Sequence, residues 1–288
     1  MASLHVILAR ESTRAIIFRR GPSNRWAFIG WDRRDDSFQL GQWIKGRLHP
    51  KRSDLSPDGK HILYFHCDYR HFDGISSWTA ISRWPYVTAV SFHPYAASYH
   101  GGGLWIDDSR YWLNDWEGNL HRDAYLDASL TQVKDYDPGH PQYGEDMSVY
   151  IPRLNHAGWT FHDAVVGRAT RQHVEYDKLV GFKFSKRYSK AWSLSLICHC
   201  DSDRFKGDSS YWDEYSLLRK DGTAVALPDW DWGDVDGDRL VWSEAGRLYA
   251  GFMDDGGLIH SKLLGDFTDM KFEPIEPPYE RKRYVGKP

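Results

Sequence analysis

Cysteine is scarce in this sequence, with 3 residues among 288. Three cysteines are too few, and odd in number, for the disulfide framework that stabilises small secreted domains. A chain of this length buries roughly three quarters of the surface that its unfolded form exposes, so its core is large enough without cross-links. The opening segment, MASLHVILARESTR, has an apolar run too short for a signal peptide. We therefore expect a cytoplasmic protein.

Long apolar runs are missing as well. The longest stretch without Asp, Glu, Lys or Arg spans residues 84–106, and its 23 residues are enough to cross a bilayer. Two prolines, two histidines, three tyrosines and three consecutive glycines interrupt it, whereas a membrane helix is predominantly apolar. We expect this stretch to form a buried loop or a binding surface, and we expect no membrane association.

Neither sign of charge dominates, because 37 Lys and Arg stand against 40 Asp and Glu, a net charge of -3. The distribution is uneven: residues 1–52 carry 11 bases and 4 acids, while residues 53–288 carry 26 bases and 36 acids. The last eight residues are basic again, with four bases and no acid. Mixed charge serves solubility, and this balance argues against a nucleic-acid partner.

Helical periodicity is nearly absent. Only residues 123–136 offer a spacing of about 3.6 residues, with Leu126, Leu130 and Val133 along one side, and the same residues also fit a strand. Elsewhere the apolar runs are short and are bounded by turn residues, as in a protein made of many short strands.

The clearest strand patterns lie near the C-terminus. Residues 215–227 predict a hairpin whose tight turn is Asp221-Gly222, because this pair suits positive φ angles. Residues 239–264 predict a three-stranded meander with turns at Gly246 and at Gly256-Gly257.

A weak unit recurs along the chain. It consists of an acidic or glycine-containing turn, a basic or small residue and three to five apolar residues. Its best copies are residues 58–65, 108–113 and 236–242. Second strands of the units would begin near residues 14, 60, 110, 158, 192 and 239. Such spacing is typical of β-propeller blades. We predict an all-β protein, a propeller of six mostly four-stranded antiparallel blades, or of five if the copies at 158 and 192 form one unit.

Residues 53–65, SDLSPDGKHILYF, resemble the TolB-like, WD-repeat-like propeller repeat, in which a Ser-Pro-Asp-Gly-Lys turn joins the first two strands of a blade. The resemblance implies a propeller but no activity, since that repeat mostly serves binding and scaffolding. We predict one propeller domain over residues 1–277 and a basic tail over residues 278–288. A closed ring would bring residues 4–9 close to residues 269–275.

Aromatic residues are abundant, with 14 Trp, 17 Tyr and 13 Phe. Neighbouring blades leave wide space between their sheets, and large side chains fill such space. The tryptophans that we assign to this packing are Trp26, Trp31, Trp112, Trp192 and Trp242.

Motifs for catalysis and metal binding are missing. The sequence has no Gly-x-Ser-x-Gly elbow, no glycine-rich phosphate loop and no His-Glu-x-x-His. Cys198-His199-Cys200 offers too few of the four ligands that zinc takes, and the acidic run at residues 229–238 does not fit an EF-hand loop. We therefore name no catalytic residue, metal or cofactor.

Candidate binding residues come from the connections between successive blades, which lie around one mouth of the central channel. The predicted connections are residues 47–54, 93–103, 138–148, 185–190, 229–236 and 265–270. Their mixture of aromatic, histidine and carboxylate side chains suits a polar ligand or a peptide, although such residues also simply seal a channel. The residues selected are His49, Arg52, Asp54, His93, Tyr95, Tyr99, His100, His140, Tyr143, Trp230, Asp231 and Trp232.

These observations predict a non-catalytic binding or scaffold module for a protein partner. The partner would use the mouth or the basic surface of residues 10–52 and 281–287. One alternative is a hydrolase of sugars or esters, with His and Asp of the mouth as acid and base. Another is a lectin-like protein that binds carbohydrate through exposed Trp and Tyr. The sequence leaves the oligomeric state open.

Overall fold

The computed structural model describes residues 2–21, 24–72, 74–115, 125–139, 146–171, 174–200, 211–254 and 256–280, and of residues 69–72, 168–171 and 174–178 it describes the backbone alone. The chain divides into two compact units. Unit 1 contains Met1–Ala157 and Asp269–Pro288, and unit 2 contains Gly158–Thr268.

Unit 1 contains three sheets. The first is the antiparallel meander of β1 (Ser3–Leu8), β2 (Arg14–Arg20), β3 (Arg25–Asp32) and β4 (Ser37–Lys45). The second is the meander of β5 (Arg47–Leu55), β6 (His61–Phe72), β7 (Ile75–Arg83) and β8 (Ala89–Tyr95). The third contains β9 (Gly103–Trp105), β10 (Arg110–Leu113) and β11 (Thr131–Gln132), of which β11 runs parallel to β10. Helix α1 (Met147–His156) follows.

Unit 2 contains two sheets. The larger has the order β12 (Thr160–Arg171), β13 (Val174–Arg187), β14 (Trp192–His199), β15 (Trp212–Arg219) and β16 (Ala224–Leu227). The other has the order β17 (Trp232–Asp236), β18 (Arg239–Glu244), β19 (Arg247–Asp254) and β20 (Gly257–Asp266). Every neighbouring pair in both sheets is antiparallel.

Alternating side chains of β6 show how the sheets of unit 1 pack on one another. Ile62 and Tyr64 join Phe28 of the first sheet in one core cluster. Leu63, between them, belongs to a second cluster with Trp105 of the third sheet. Because successive strand residues point to opposite faces, the second sheet is buried on both faces. The central strands β6 and β7 accordingly place apolar residues on both faces.

The predicted Ser-Pro-Asp-Gly-Lys turn forms between β5 and β6. The Ser56 hydroxyl donates to the Asp58 carboxylate over 2.7 Å, and Asp58 also accepts a hydrogen bond from the backbone of Lys60 over 3.0 Å. Gly59 has a φ of +70°, a left-handed conformation that costs glycine least. The turn chemistry thus fixes the register of the hairpin.

The all-β prediction is confirmed, and so are the two C-terminal strand patterns. Residues 215–227 form the β15–β16 hairpin around Gly222, and residues 239–264 form the β18–β20 meander. The copies at 158 and 192 correspond to β12 and β14, which lie in one sheet. The described residues therefore form five sheets, the number given by the alternative with one expanded unit, and the separate sixth unit is wrong.

Helix α1 was not predicted. Pro152 lies inside it, and no side chain caps its start. Proline removes a helical hydrogen bond, and the β-branched Val149 and Ile151 favour strand, so local propensity opposes this helix. It is stabilised instead by burial, because seven of its ten residues are buried. The spacing at residues 123–136 gives no helix in its described part, residues 125–136, which holds β11 and a turn.

One further expectation about the connections was wrong. Residues 47–54 are not a connection, because they lie within β5. Residues 269–275 contain no strand, and the contacts described for them are with β3 and β4: Phe272 with Arg25 and Trp43, and Ile275 with Gln42. The described chain has no helix long and apolar enough to span a bilayer.

Candidate functional site

Three predicted residues of unit 1, His49, Arg52 and Asp54, lie at an irregularity of β5. Strand β5 pairs His49 with Phe65 and then Asp54 with Leu63, so five steps along β5 match two along β6. The extra residues of this bulge turn Arg52 inward, where its side chain is 0% exposed. A bulge of this kind re-aims a side chain that regular pairing would direct elsewhere.

Arg52 is held by three partners. Its Nε donates to Asp146 over 2.6 Å, its Nη1 donates to the Ser98 carbonyl over 2.8 Å, and its guanidinium lies 4.9 Å from the centre of the Phe65 ring. The His49 Nδ1 lies 3.5 Å from the same Asp146 oxygen. A buried cation is stable only with such paired and oriented acceptors.

Asp146 remains ionised in this environment. Burial acts to raise the pKa of Asp146, but contact with His49 and the positive charge of Arg52 together hold that pKa well below its usual range. The carboxylate is therefore the counter-ion of Arg52 rather than a proton carrier near neutral pH.

Asp54 closes the other side of this bulge. Its Oδ1 accepts a hydrogen bond from the Leu55 backbone over 2.9 Å, and its Oδ2 accepts one from the Trp105 backbone over 2.8 Å. Arg10 Nη1 lies 3.6 Å from Oδ2. Asp54 is 2% exposed, so this carboxylate fastens the third sheet to the second and is not offered to solvent.

The glycine run at residues 101–103 lies directly against Arg52. A Cβ at Gly102 would collide with the Arg52 carbonyl oxygen, and a Cβ at Gly101 would collide with the Phe65 ring. The Gly102 amide donates to the Thr79 hydroxyl over 2.7 Å. This part of the 84–106 stretch is thus a buried loop that needs glycine for close approach.

His93 and Tyr95 form a second buried polar group. The His93 Nε2 lies 3.3 Å from the Tyr111 hydroxyl, and the Tyr95 hydroxyl donates to Asp115 over 2.6 Å. Burial lowers the pKa of His93 to about 4, and burial raises the pKa of Asp115. His93 is therefore neutral at physiological pH.

The remaining predicted residues are scattered. Tyr99 is 69% exposed, and His100 is half-buried beside it. His140 and Tyr143 lie outside the described residues.

The predicted residues of unit 2 are mostly packing residues. Trp230 and Trp232 are buried, and the Trp230 ring stacks on Trp242 with 4.9 Å between centroids. Asp231 is half-buried and accepts a hydrogen bond from the Ala245 backbone over 3.1 Å. These contacts stabilise the start of the β17–β20 sheet.

The two carboxylates beside β5 are satisfied by the protein itself. The carboxylates of Asp54 and Asp146 accept hydrogen bonds from within the chain, and Cys67 is a buried free thiol. Across the described ranges, no group of three or more His, Cys, Asp or Glu side chains is arranged to hold a metal ion. The arrangement supports folding more directly than it supports chemistry.

Two surfaces carry cations that the protein does not neutralise. The first, which we call the basic end, comprises the exposed Arg20, Arg25 and Lys45 at one end of the first sheet, the exposed Arg47 at the start of β5, and Phe272. Arg25 and Lys45 are direct neighbours across β3 and β4, and the Arg25 guanidinium lies 5.0 Å from the centre of the Phe272 ring. Within the described part of the chain, none of the four forms an ion pair.

The second is a cavity of about 420 Å³ on the β12–β16 sheet, which we call the cationic pocket. The predicted connection 185–190 supplies four of its lining residues, but the sequence analysis selected none of them, because the charge of residues 53–288 was taken as one acidic block. A local signal exists: residues 178–190 contain five bases and no acid. The residues lining the pocket are Thr160, His162, Lys183, Ser185, Arg187, Ser189, Lys190, Ala191, Trp192, Ser193, Leu218, Arg219 and Lys220.

Comparison with protein-family models finds no match. Comparison with curated protein sequences finds no significant relative. The assignment of a function therefore depends on the geometry described above.

Proposed function

We propose that this protein is a non-catalytic, cytoplasmic β-propeller that binds an acidic protein partner through the basic end. The five sheets would be its blades, with β12–β16 as an expanded one. Three features support the propeller: the consecutive antiparallel meanders, the sheet-on-sheet packing within unit 1, and the turn at Asp58-Gly59.

The composition of the basic end carries the binding proposal. Arginine and aromatic side chains dominate the energetics of protein interfaces, and here Arg25 stacks on Phe272, whose ring is 53% exposed. Exposed cations without local counter-ions also attract an acidic surface over a distance of about a Debye length. An acidic partner would satisfy both the charges and the exposed ring.

The burial of the residues predicted to line the mouth favours binding over hydrolysis. An acid or base must reach its substrate, whereas His93 and Asp54 are each 2% exposed and already have partners within the chain. The hydrolase alternative therefore loses the acid and base that these two residues would have supplied.

The test is affinity capture from the native host at low salt, followed by identification of the retained proteins. We expect one acidic protein to be retained by the wild-type chain, to be lost with R25E or F272A, and to be released by added salt. K262E is the matched control, because Lys262 is an exposed lysine of β20 and its reversal changes the charge equally.

Two outcomes would contradict the proposal. One is a partner that R25E, F272A and K262E retain equally well. The other is a chain that captures no protein at low salt and turns over a sugar or an ester.

A further inference from the structure

The cationic pocket has a regular strand origin. Lys183, Ser185 and Arg187 alternate along β13, so their side chains share one face of the sheet. Ser185 stands opposite Thr160 of β12, and Arg187 stands opposite Ser193 of β14. Three neighbouring strands thus present hydroxyls and cations on the same face.

Most of the cations of the cationic pocket have no counter-ion in the described chain. Lys183, Lys190 and Lys220 form no ion pair, and Arg219 has only Asp221, with Nε and Oδ2 3.5 Å apart. Lys186 is the contrasting case, because it points to the other face and its Nζ lies 2.7 Å from Asp234. Five cations without a lining carboxylate repel one another until an anion enters.

Residues 188–191, the turn between β13 and β14, close the pocket and are held by hydrogen bonds within the chain before any ligand binds. The Ser189 hydroxyl accepts hydrogen bonds from the backbones of Ala191 and Trp192 over 3.2 and 3.1 Å. Arg187 Nε donates to the Ser189 carbonyl over 3.1 Å, and the Lys220 backbone donates to the Ala191 carbonyl over 2.8 Å. A fixed turn avoids much of the ordering cost of binding.

Tyr188, the first residue of this turn, anchors it to the neighbouring sheet of unit 2. Its hydroxyl donates to the Asp238 carbonyl over 2.6 Å and accepts from the Met253 backbone over 3.1 Å. The Trp192 Nε1 donates to the Asp254 carbonyl over 3.0 Å. Both ends of the turn are therefore held from outside the pocket.

We propose that the cationic pocket binds a small molecule that carries a chain of two or three phosphates. Two arginines, three lysines and four hydroxyls supply the charge-assisted donors that phosphate oxygens accept. The volume of about 420 Å³ lies within the range of small-ligand sites. His162 adds a further polar group, with its Nε2 2.6 Å from the Ser185 hydroxyl.

The surrounding charge selects a small anion over a polymeric one. Residues 221–238 of the same unit carry six aspartates and no base. Asp234 and Asp236 are paired with Lys186 and Arg239, whereas Asp221 lies beside Arg219 of the pocket. A nucleic acid or a phosphorylated peptide that extended beyond the pocket would meet this negative charge, whereas a short phosphate chain ends inside. This site is separate from the basic end and does not depend on the partner proposed there.

The test is titration calorimetry of the full chain with sodium tripolyphosphate at low salt. We expect saturable binding of one tripolyphosphate, at least a tenfold loss of affinity in K183Q and in R187Q, and no change in K262Q. Adenosine triphosphate is the second ligand: tighter binding than tripolyphosphate shows that the pocket also contacts the organic part, and equal binding shows that it contacts the phosphates alone. Both results support the proposal.

A second measurement needs no variant. Bound tripolyphosphate should protect Lys183, Lys190 and Lys220 of the wild-type chain from acetylation, while Lys262 stays reactive. The proposal is overturned if these lysines are not protected, if K183Q binds as the wild type does, or if only a single-stranded oligonucleotide or a phosphopeptide binds.

Discussion

At the scale of single residues, contacts of buried charged side chains join parts of unit 1 that are far apart in the sequence. Arg52 and Asp146 are 94 residues apart in sequence, and their contact of 2.6 Å joins β5 to the start of α1. Arg153 of that helix then donates to the Pro50 carbonyl over 2.7 Å and to the Ser53 carbonyl. Sequence reasoning selected Arg52 for its position but could not supply its partner, because contacts between distant residues leave no periodic signal.

Removing the guanidinium of Arg52 tests this organisation. R52M leaves the Asp146 carboxylate without its strongest donor and the Ser98 carbonyl without a partner for its hydrogen bond. Loss of one member of a buried ion pair costs about 3–5 kcal/mol, so we expect the free energy of unfolding to fall by that amount. Urea denaturation measures it, and R34M, an exposed arginine of the same unit, is the control. Equal losses in both variants would contradict the interpretation.

His93 predicts a sensitivity to mild acid. Its pKa is about 4 in the folded protein, because of burial, against about 6.5 when unfolded. Between these values His93 binds a proton in the unfolded chain and not in the folded one. The free energy of unfolding is therefore unaffected by His93 above pH 6.5 and decreases as the pH falls toward 4. The difference corresponds to about 3 kcal/mol.

The variant H93Q isolates this contribution. It lacks the titrating ring, so its free energy of unfolding should change less between pH 7 and pH 4 than that of the wild type. Urea denaturation at several pH values gives the two slopes. Parallel slopes would show that His93 does not contribute.

Among the elements, strands with strong turn chemistry were predictable and elements supported by distant contacts were not. The β15–β16 hairpin and the turn at Gly59 follow from short local signals. The local sequence of helix α1 disfavours a helix because it contains Pro152, and the helix is stabilised by the burial of its side chains. Residues 47–54 were assigned to a connection between blades, and Pro50 and five charged or imidazole side chains give them no strand signal, yet pairing with β6 makes them a strand.

The segment 269–280 is an element without regular structure that joins two sheets. Gln42 Nε2 on β4 donates to the Ile275 carbonyl over 2.8 Å, and the Tyr279 hydroxyl donates to the Thr88 carbonyl over 2.7 Å. The Arg83 guanidinium lies 5.2 Å from the centre of the Tyr279 ring. The segment thus covers parts of the first and second sheets.

Variants at Tyr279 measure what this segment contributes. Y279F loses the hydrogen bond to the Thr88 carbonyl and a longer one, of 3.4 Å, that the hydroxyl accepts from the Arg83 backbone, for which we expect about 1–2 kcal/mol of destabilisation. Y279A also loses the ring that packs on Tyr86 and Arg83, and we expect about 3 kcal/mol. The two free energies of unfolding, compared with the wild type in urea, separate the hydrogen bonds from the ring. If the two variants are alike, the ring contributes nothing.

At the scale of the molecule, the aromatic content is largely explained by packing. Trp31 and Trp105 are fully buried, and Trp192 and Trp242 are buried in unit 2. The same explanation covers Trp230, which the sequence had assigned to binding. Composition showed that aromatic residues matter, but only the fold separates a buried ring from an exposed one.

The candidate sites were the least predictable feature of the whole chain. Averaging charge over long blocks concealed the cationic pocket, whose bases come from strands β13 and β15 and from two turns. The alternation of Lys183, Ser185 and Arg187 is the local pattern that indicates it, once the segment is taken as a strand. The basic N-terminal segment, by contrast, was visible in the sequence, although Phe272 beside it was not.

Residues 269–280 belong to unit 1 but follow unit 2 in the sequence, and this determines the order in which the parts of unit 1 can fold during synthesis. A ribosome makes the chain from its N-terminus, so all of unit 2 is made before Phe272, Ile275 and Tyr279 leave the exit tunnel. Until then the first two sheets lack their final cover. Unit 1 begins to form first but is completed last, and a nascent chain stalled within unit 2 would present Trp43 and Tyr86 to chaperones.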